Sequence, residues 1–138
     1  MQPNLDNIRK WRDALLSGRF EQGYYYLKDL TADGPKYCCL GVACEIAKEN
    51  GVSMTEKTRS GTRVGKVLYD GESATLPIRV QEWLGIGGGL FSMGNPRLSH
   101  QFTESLRYEM VEATSLNDNH NLSFKQIAAA ITRTYNLD

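Results

Sequence analysis

The run Tyr37-Cys38-Cys39-Leu40-Gly41-Val42-Ala43-Cys44-Glu45-Ile46-Ala47-Lys48-Glu49-Asn50 constrains the fold more than any other stretch of the chain. Leu40, Ala43, Cys44 and Ala47 recur at i, i+3, i+4 and i+7, one stripe of an α-helix. Cys39, Val42 and Ile46 widen that stripe to about two thirds of the helix surface, leaving Glu45, Lys48 and Glu49 for water. Asn50-Gly51 supplies the stop, because glycine accepts the left-handed conformation that follows a helix. A helix this apolar, over about 38–50, has to be covered by the rest of the chain. The fold class expected is α+β: one compact domain, 1–138, in which this helix packs with N- and C-terminal helices and a small antiparallel sheet or hairpin.

The flanking signals fill in that plan. Asn4 caps a first helix with Leu5, Ile8, Trp11 and Leu15 on one face, Asp6 near its positive end and Gly18 ending it. Arg19 to Leu30 reads as extended chain, an edge strand in the simplest case, since its three consecutive tyrosines favour strands and Gly23 disfavours helix. Asp33-Gly34-Pro35 is a turn that delivers Tyr37 to the central helix. The polar stretch from Ser53 to Arg63 reads as a loop, and Val64 to Tyr69 as a short strand. Asp70-Gly71 then predicts a hairpin whose second arm is Glu72 to Leu76. Pro77 opens a short helix with Val80, Trp83 and Leu84, stopped by Gly85. Ile86 to Asn95 is a glycine-rich loop, and 103–113 reads as a strand, with a helix opening at Thr103 fitting nearly as well. Ser123 and Gln126 have capping-box spacing before a last helix with Phe124, Ile127, Ala128 and Ile131 on its apolar face.

Charge narrows the function classes. The 138 residues carry 16 basic and 16 acidic side chains, a net charge of zero. That argues against a broad grip on duplex nucleic acid, which needs clustered positive charge. The distribution is uneven: residues 1–69 hold 11 basic and 8 acidic side chains, and residues 70–138 hold 5 and 8. No apolar run reaches the roughly 20 residues of a membrane span. The N-terminal Met1-Gln-Pro-Asn-Leu-Asp lacks the basic and apolar parts of a signal peptide. Three cysteines, two of them adjacent, make a poor disulfide framework and suit a reducing cytosol, so a soluble intracellular protein is expected.

A wider pattern joins these pieces. Trp11 with Ala14-Leu15 and Ser17-Gly18 is followed by Gln22-Gly23, Leu27, the Tyr37-Cys38-Cys39-Leu40-Gly41-Val42 block and Cys44. Leu76-Pro77 comes next with Trp83 and Gly85, then Leu116-Asn117-Asp118, and Phe124 with Ile127-Ala128 and Ile131. The chain resembles a group of small accessory proteins encoded by tailed bacteriophages. The likeness covers most of the chain and is weakest from Ser53 to Thr75 and from Gly87 to Ala113. It implies a phage gene product acting in the host bacterial cytoplasm, and it brings no settled reaction with it.

Candidate sites follow from residue chemistry. On a helix Cys38, Cys39 and Cys44 point in three directions, away from a shared metal, and His100 and His120 lack ligand spacing with them. Packing is the simplest role for the thiols, with a reactive Cys38 or Cys39 at the helix N-terminus as the alternative. Gly61-Thr-Arg-Val-Gly65-Lys66-Val67 approaches a P-loop but has one residue too few between its glycines and a valine where the hydroxyl should stand. Gly85-Ile-Gly87-Gly-Gly-Leu90 lacks the last glycine of a dinucleotide fingerprint. Lys57, Arg59, Arg63 and Lys66 among hydroxyls and glycines still offer what a phosphate wants: cations and exposed N–H groups. Tyr24 and Tyr26 share a face if the chain there is extended, and an aromatic face can stack on a base. Asn117, Asp118 and His120 fix the start of the last helix, or present polar groups to a ligand, Asp118 and His120 also being a possible catalytic pair.

The expected ligand site is therefore Tyr24, Tyr26, Lys57, Arg59, Arg63, Lys66, Asn117, Asp118 and His120, with no metal, no cofactor and no assigned catalytic residue. The expected function is counter-defence: capture of a phosphate-bearing small molecule, a nucleotide immune signal, by a homo-oligomer, with no membrane and no duplex nucleic acid as partner. A cysteine- or His/Asp-dependent enzyme and a protein–protein inhibitor of a host factor are the alternatives.

Overall fold

A computed structural model describes residues 2–59, 64–86, 117 and 122–138. Helix α1, Leu5–Leu16, begins where Asn4 Oδ1 accepts from the Asn7 amide at 3.1 Å. It buries Ile8, Trp11, Ala14 and Leu15, while Leu5 at the helix start is exposed rather than on the packed face. The Trp11 indole donates to the Cys39 carbonyl at 2.8 Å, which pins α1 to the first turn of helix α2, Cys39–Glu49. All of α2 except Glu45, Lys48 and Glu49 is buried, so the helix that dominates the sequence also lies at the centre of the core. Its close fit depends on Gly41: a Cβ there would stand 1.6 Å from the Leu27 carbonyl oxygen, inside the backbone of the neighbouring segment.

The sheet has four strands, β1 Lys28–Thr31, β2 Gly34–Tyr37, β3 Glu56–Thr58 and β4 Gly65–Tyr69, all paired antiparallel in the order β2-β1-β4-β3. Four expectations change here. The segment from Arg19 to Leu30 is not one edge strand: only Gln22 bridges Tyr37 before the chain bends, Tyr25 adopts φ 71°, and β1 then runs inside the sheet. The turn before α2 is Ala32-Asp33, and Gly34-Pro35 already belongs to β2. Asp70 and Gly71 do take positive φ, 50° and 84°, and Tyr69 bridges Glu72. The chain from Glu72 to Leu76 nevertheless forms no strand, because both edges of β4 are taken by β1 and β3 and no ladder is left to join. The free partner comes from the polar stretch read as loop, whose Glu56-Lys57-Thr58 is the charged edge strand β3. Charge on an edge strand discourages pairing with other chains.

Helix α3, Ile78–Leu84, has Pro77 at its N-cap and ends on Gly85 at φ 73°. A side chain at Gly85 would also strike the Gln2 carbonyl at 2.0 Å, close to where the Asn4 amide donates to Leu84 at 2.8 Å. The last described helix, α4, Phe124–Thr134, carries the complete capping box: the Gln126 amide donates to Ser123 Oγ at 3.2 Å and the Ser123 amide to Gln126 Oε1 at 2.9 Å. Its buried Phe124, Ile127, Ala128, Ala130 and Ile131 pack against α1. Tyr37, Val67 and Tyr69 bring the inner face of the sheet into the same core. The α+β class holds. Among the described residues no helix is long and apolar enough to cross a membrane.

Candidate functional site

Strand register decides which charges meet. Asp29 on β1 lies directly opposite Lys36 on β2 and Lys66 on β4, so the three share the outer face of the sheet. Arg59 continues the row, its amide donating to the Lys66 carbonyl at 2.8 Å. Lys57 belongs to the same face two residue pairs further on, opposite Leu68. Lys66 Nζ stands 3.6 Å from Asp29 Oδ2 and 4.8 Å above the Tyr26 ring. At the β2 edge Lys36 Nζ lies 3.7 Å from Glu21 Oε1. Lys66, Asp29 and Lys36 are about a third exposed and Glu21 more than half, so each pair stabilises the fold by only a few tenths of a kcal/mol, and the contact with the ring adds roughly 0.5–1. Heads held that lightly remain able to turn toward a ligand.

The inner face carries a second charge cluster. Tyr69 donates its hydroxyl to Glu45 Oε2 at 2.6 Å, and Lys48 Nζ sits 3.3 Å from Glu45 and 2.6 Å from Glu56. Lys28 Nζ lies 3.8 Å from Glu56 and 5.6 Å from the centre of the Tyr37 ring. Tyr69 of β4 and Glu56 of β3 thus meet Glu45 and Lys48 of α2, and Lys28 of β1 joins the cluster through Glu56. Glu45, expected in water, is drawn under the sheet. Burial, then the Glu45 carboxylate, push the Tyr69 hydroxyl far above its ordinary range, and the same two causes raise Tyr37. Burial alone would lower Lys48, but its hydrogen bonds and attraction to Glu56 and Glu45 leave it raised. Two acids balance two bases, so this cluster clamps the sheet to α2 and has no surplus charge for a ligand.

The expected site residues fall into separate places. Lys57, Arg59, Lys66 and Tyr26 come together on the outer face. Tyr24 and Tyr25 lie in the bend that leads to Tyr26, exposed at 45% and 59%. The left-handed φ at Tyr25 breaks the alternation on which a shared Tyr24–Tyr26 face depended. Asn117 belongs to the fold: it is fully buried, accepts from Gln22 Nε2 at 2.9 Å and donates to the Gly23 carbonyl at 2.9 Å. Gln22 also donates to Leu122 and accepts from Phe124, so the pair ties the β2 edge to the start of α4, across the sheet from Lys57 and Arg59. Arg63, Asp118 and His120, with the glycine loop from Gly87 and the 103–113 segment, lie outside the described residues.

Other chemistry is constrained as well. Gly65 and Lys66 stand in a strand, not before a helix, which removes any P-loop geometry. Cys38, Cys39 and Cys44 are all buried and none is in a disulfide, as packing requires. Burial pushes the Cys44 thiol well up, away from thiolate. Among the described residues no three His, Cys, Asp or Glu side chains gather as metal ligands. An open groove of about 360 Å³ runs between α1 and the end of α2. Its charges are engaged across it, Arg19 with Glu49 at 2.5 Å and Lys10 with Asn50 Oδ1 at 3.1 Å.

Lys36, Asp29 and Glu21 are the site residues that sequence reasoning missed. The available signal was a two-residue loop: placing the turn at Ala32-Asp33 sets Asp29 against Lys36.

Fold and surface together define a small α+β domain whose sheet turns a polar, cation-bearing face away from its core. The family model of a domain of unknown function, DUF8296, matches residues 1–135, and the chain belongs to that family. No curated protein and no solved structure matches it.

Proposed function

We propose that this chain is a binding protein that holds a phosphate-bearing small molecule on the outer face of its sheet without transforming it. The observation that supports this most is Lys66, held over the Tyr26 ring beside Lys36, Arg59 and Lys57 with Asp29 as the carboxylate among them. Cations next to an aromatic face suit a phosphate joined to a base. Exposed Tyr24 and Tyr25 add aromatic surface for a base or for a second subunit. In the phage setting implied by the Tyr37-to-Val42 block, the protein is a counter-defence sponge that takes up a nucleotide immune signal in the host bacterial cytoplasm, as a homo-oligomer. A cysteine enzyme is disfavoured by burial of all three thiols.

Thermal shift against a panel of linear and cyclic nucleotides tests the proposal. A ligand that binds only the folded state raises the melting temperature by about 2.7 kcal/mol worth of stability at a hundredfold excess over Kd. Lys66→Ala and Arg59→Ala are expected to abolish the shift, and chromatography after incubation to recover the ligand intact. If no nucleotide moves the melting temperature, or the ligand returns cleaved, the proposal is wrong.

A further inference from the structure

We infer that Asp29 sets ligand class on this face, favouring a phosphodiester over a polyphosphate; the inference rests on the binding role proposed above. From the β2 edge across the sheet, Glu21, Lys36, Asp29, Lys66 and Arg59 alternate in sign until the final pair of cations. The register fixes this order, so rotation of the side chains cannot erase it. With strands about 4.8 Å apart, Lys36 and Lys66 are rooted roughly 10 Å from each other with a carboxylate between them. Lys66 Nζ is already 3.6 Å from that carboxylate.

A triphosphate packs several charges into a few ångströms and has to set some of them against Asp29. Like charges brought up to Asp29 are screened as the ion pairs of this face are, and two or three of them together shift an equilibrium by about threefold. A phosphodiester carries one charge per phosphate and spaces them by sugars, whose hydroxyls can donate to a carboxylate. The outer-face groups, four cations (Lys36, Lys57, Arg59, Lys66) against Asp29 and Glu21, leave a surplus of +2. That matches a ligand with two singly charged phosphates.

Calorimetric titration of the full chain with cyclic di-AMP and with ATP, at one ionic strength, tests this. The wild-type chain is expected to bind cyclic di-AMP at least about threefold more tightly than ATP, the scale on which two or three screened like charges act. Asp29→Asn is expected to tighten ATP by about the same factor and to leave cyclic di-AMP unchanged or weaker. Asp29→Ser repeats the measurement should the first variant fail to fold. Equal or tighter ATP binding in the wild type, or an unchanged ratio in the variants, overturns the role of Asp29. If both probes bind and Lys66→Ala abolishes both while the ratio ignores Asp29, the binding face stands and only this inference falls. If neither probe binds, this inference falls, and the nucleotide panel alone decides the binding face.

Discussion

Adding one methyl group at Gly41 sets two effects of opposite sign against each other. Alanine is the better helix former by about 1 kcal/mol in a helix interior, so Gly41→Ala would stabilise α2 on propensity alone. The structure places the new Cβ 1.6 Å from the Leu27 carbonyl oxygen and 2.6 Å from its carbon. Reaching ordinary contact requires a displacement of about 1.5 Å in a close-packed interior. The obstructing atoms are backbone and cannot rotate aside as a side-chain tip would. Leu27 is itself held, its amide donating to the Ser73 carbonyl at 2.8 Å and its side chain fully buried. Overpacking of this kind costs roughly 3 kcal/mol, at the top of its usual range, and a net loss of about 2 kcal/mol remains after the propensity gain. For a chain of this size that lowers the melting temperature by roughly 6–10 °C. Gly18→Ala is the control, because Gly18 has φ 77° with nothing within 4 Å of a new Cβ and pays only backbone strain of about 1 kcal/mol. Melting followed by circular dichroism reads both. A Gly41→Ala chain as stable as wild type would mean that α2 does not approach the Leu27 backbone as described.

Two further outcomes can be checked by the same melting assay. Asn117→Ala strips a donor from the buried Gly23 carbonyl and an acceptor from Gln22, and is expected to destabilise the fold by about 2–3 kcal/mol, where a surface ligand contact would cost almost nothing. On the alkaline side, Tyr69, Tyr37 and Cys44 are all raised, mainly by burial, and Tyr135 is pushed up to about 12 by the same cause. Each group ionises in the unfolded chain first, so its contribution is complete below the ordinary values of about 8.5 for cysteine and 10 for tyrosine and is lost as pH rises beyond them. Tyr69, fully buried, sets a slope of about 1.4 kcal/mol per pH unit above pH 10 until its folded value is reached, and Tyr69→Phe flattens it. A melting temperature unchanged between pH 9 and 11 would refute this (expected onset from the ordinary values, about 9–10).

The helices were legible because their signals are local. Asn4, Gly18, Gly51, Pro77, Gly85 and the Ser123–Gln126 pair all act within one turn of the ends they mark. The sheet was not, because pairing is decided at a distance. Glu56-Lys57-Thr58 has little intrinsic strand preference, and only the open edge of β4 makes it a strand. Glu72 to Leu76 follows a good hairpin turn and forms no strand, since that edge is already taken. Of the site, the cations Lys57, Arg59 and Lys66 were legible as a charge run. Their companions Lys36 and Asp29 come from the β1–β2 hairpin, which a turn read at Asp33-Gly34-Pro35 does not disclose because Gly34 and Pro35 are strand residues.

The same distance explains how a chain with zero net charge can present a directional surface. A four-stranded antiparallel sheet sends alternate residues to opposite faces, so charges adjacent in sequence are separated in space. Lys28 goes inward to Glu56 and Asp29 outward to Lys66. Glu56 goes inward to Lys48, while Lys57 next to it stays on the outer face. Inside, two carboxylates and two ammonium groups cancel against α2, with Tyr69 satisfying Glu45. Outside, the cations outnumber the acids. The segregation makes a sharp demand on register: a one-residue slip of β4 against β1 would carry Lys66 into the core and Val67 out of it. Buried Val67 and Tyr69 forbid that slip, so the apolar packing of the inner face also holds the outer charges in their order.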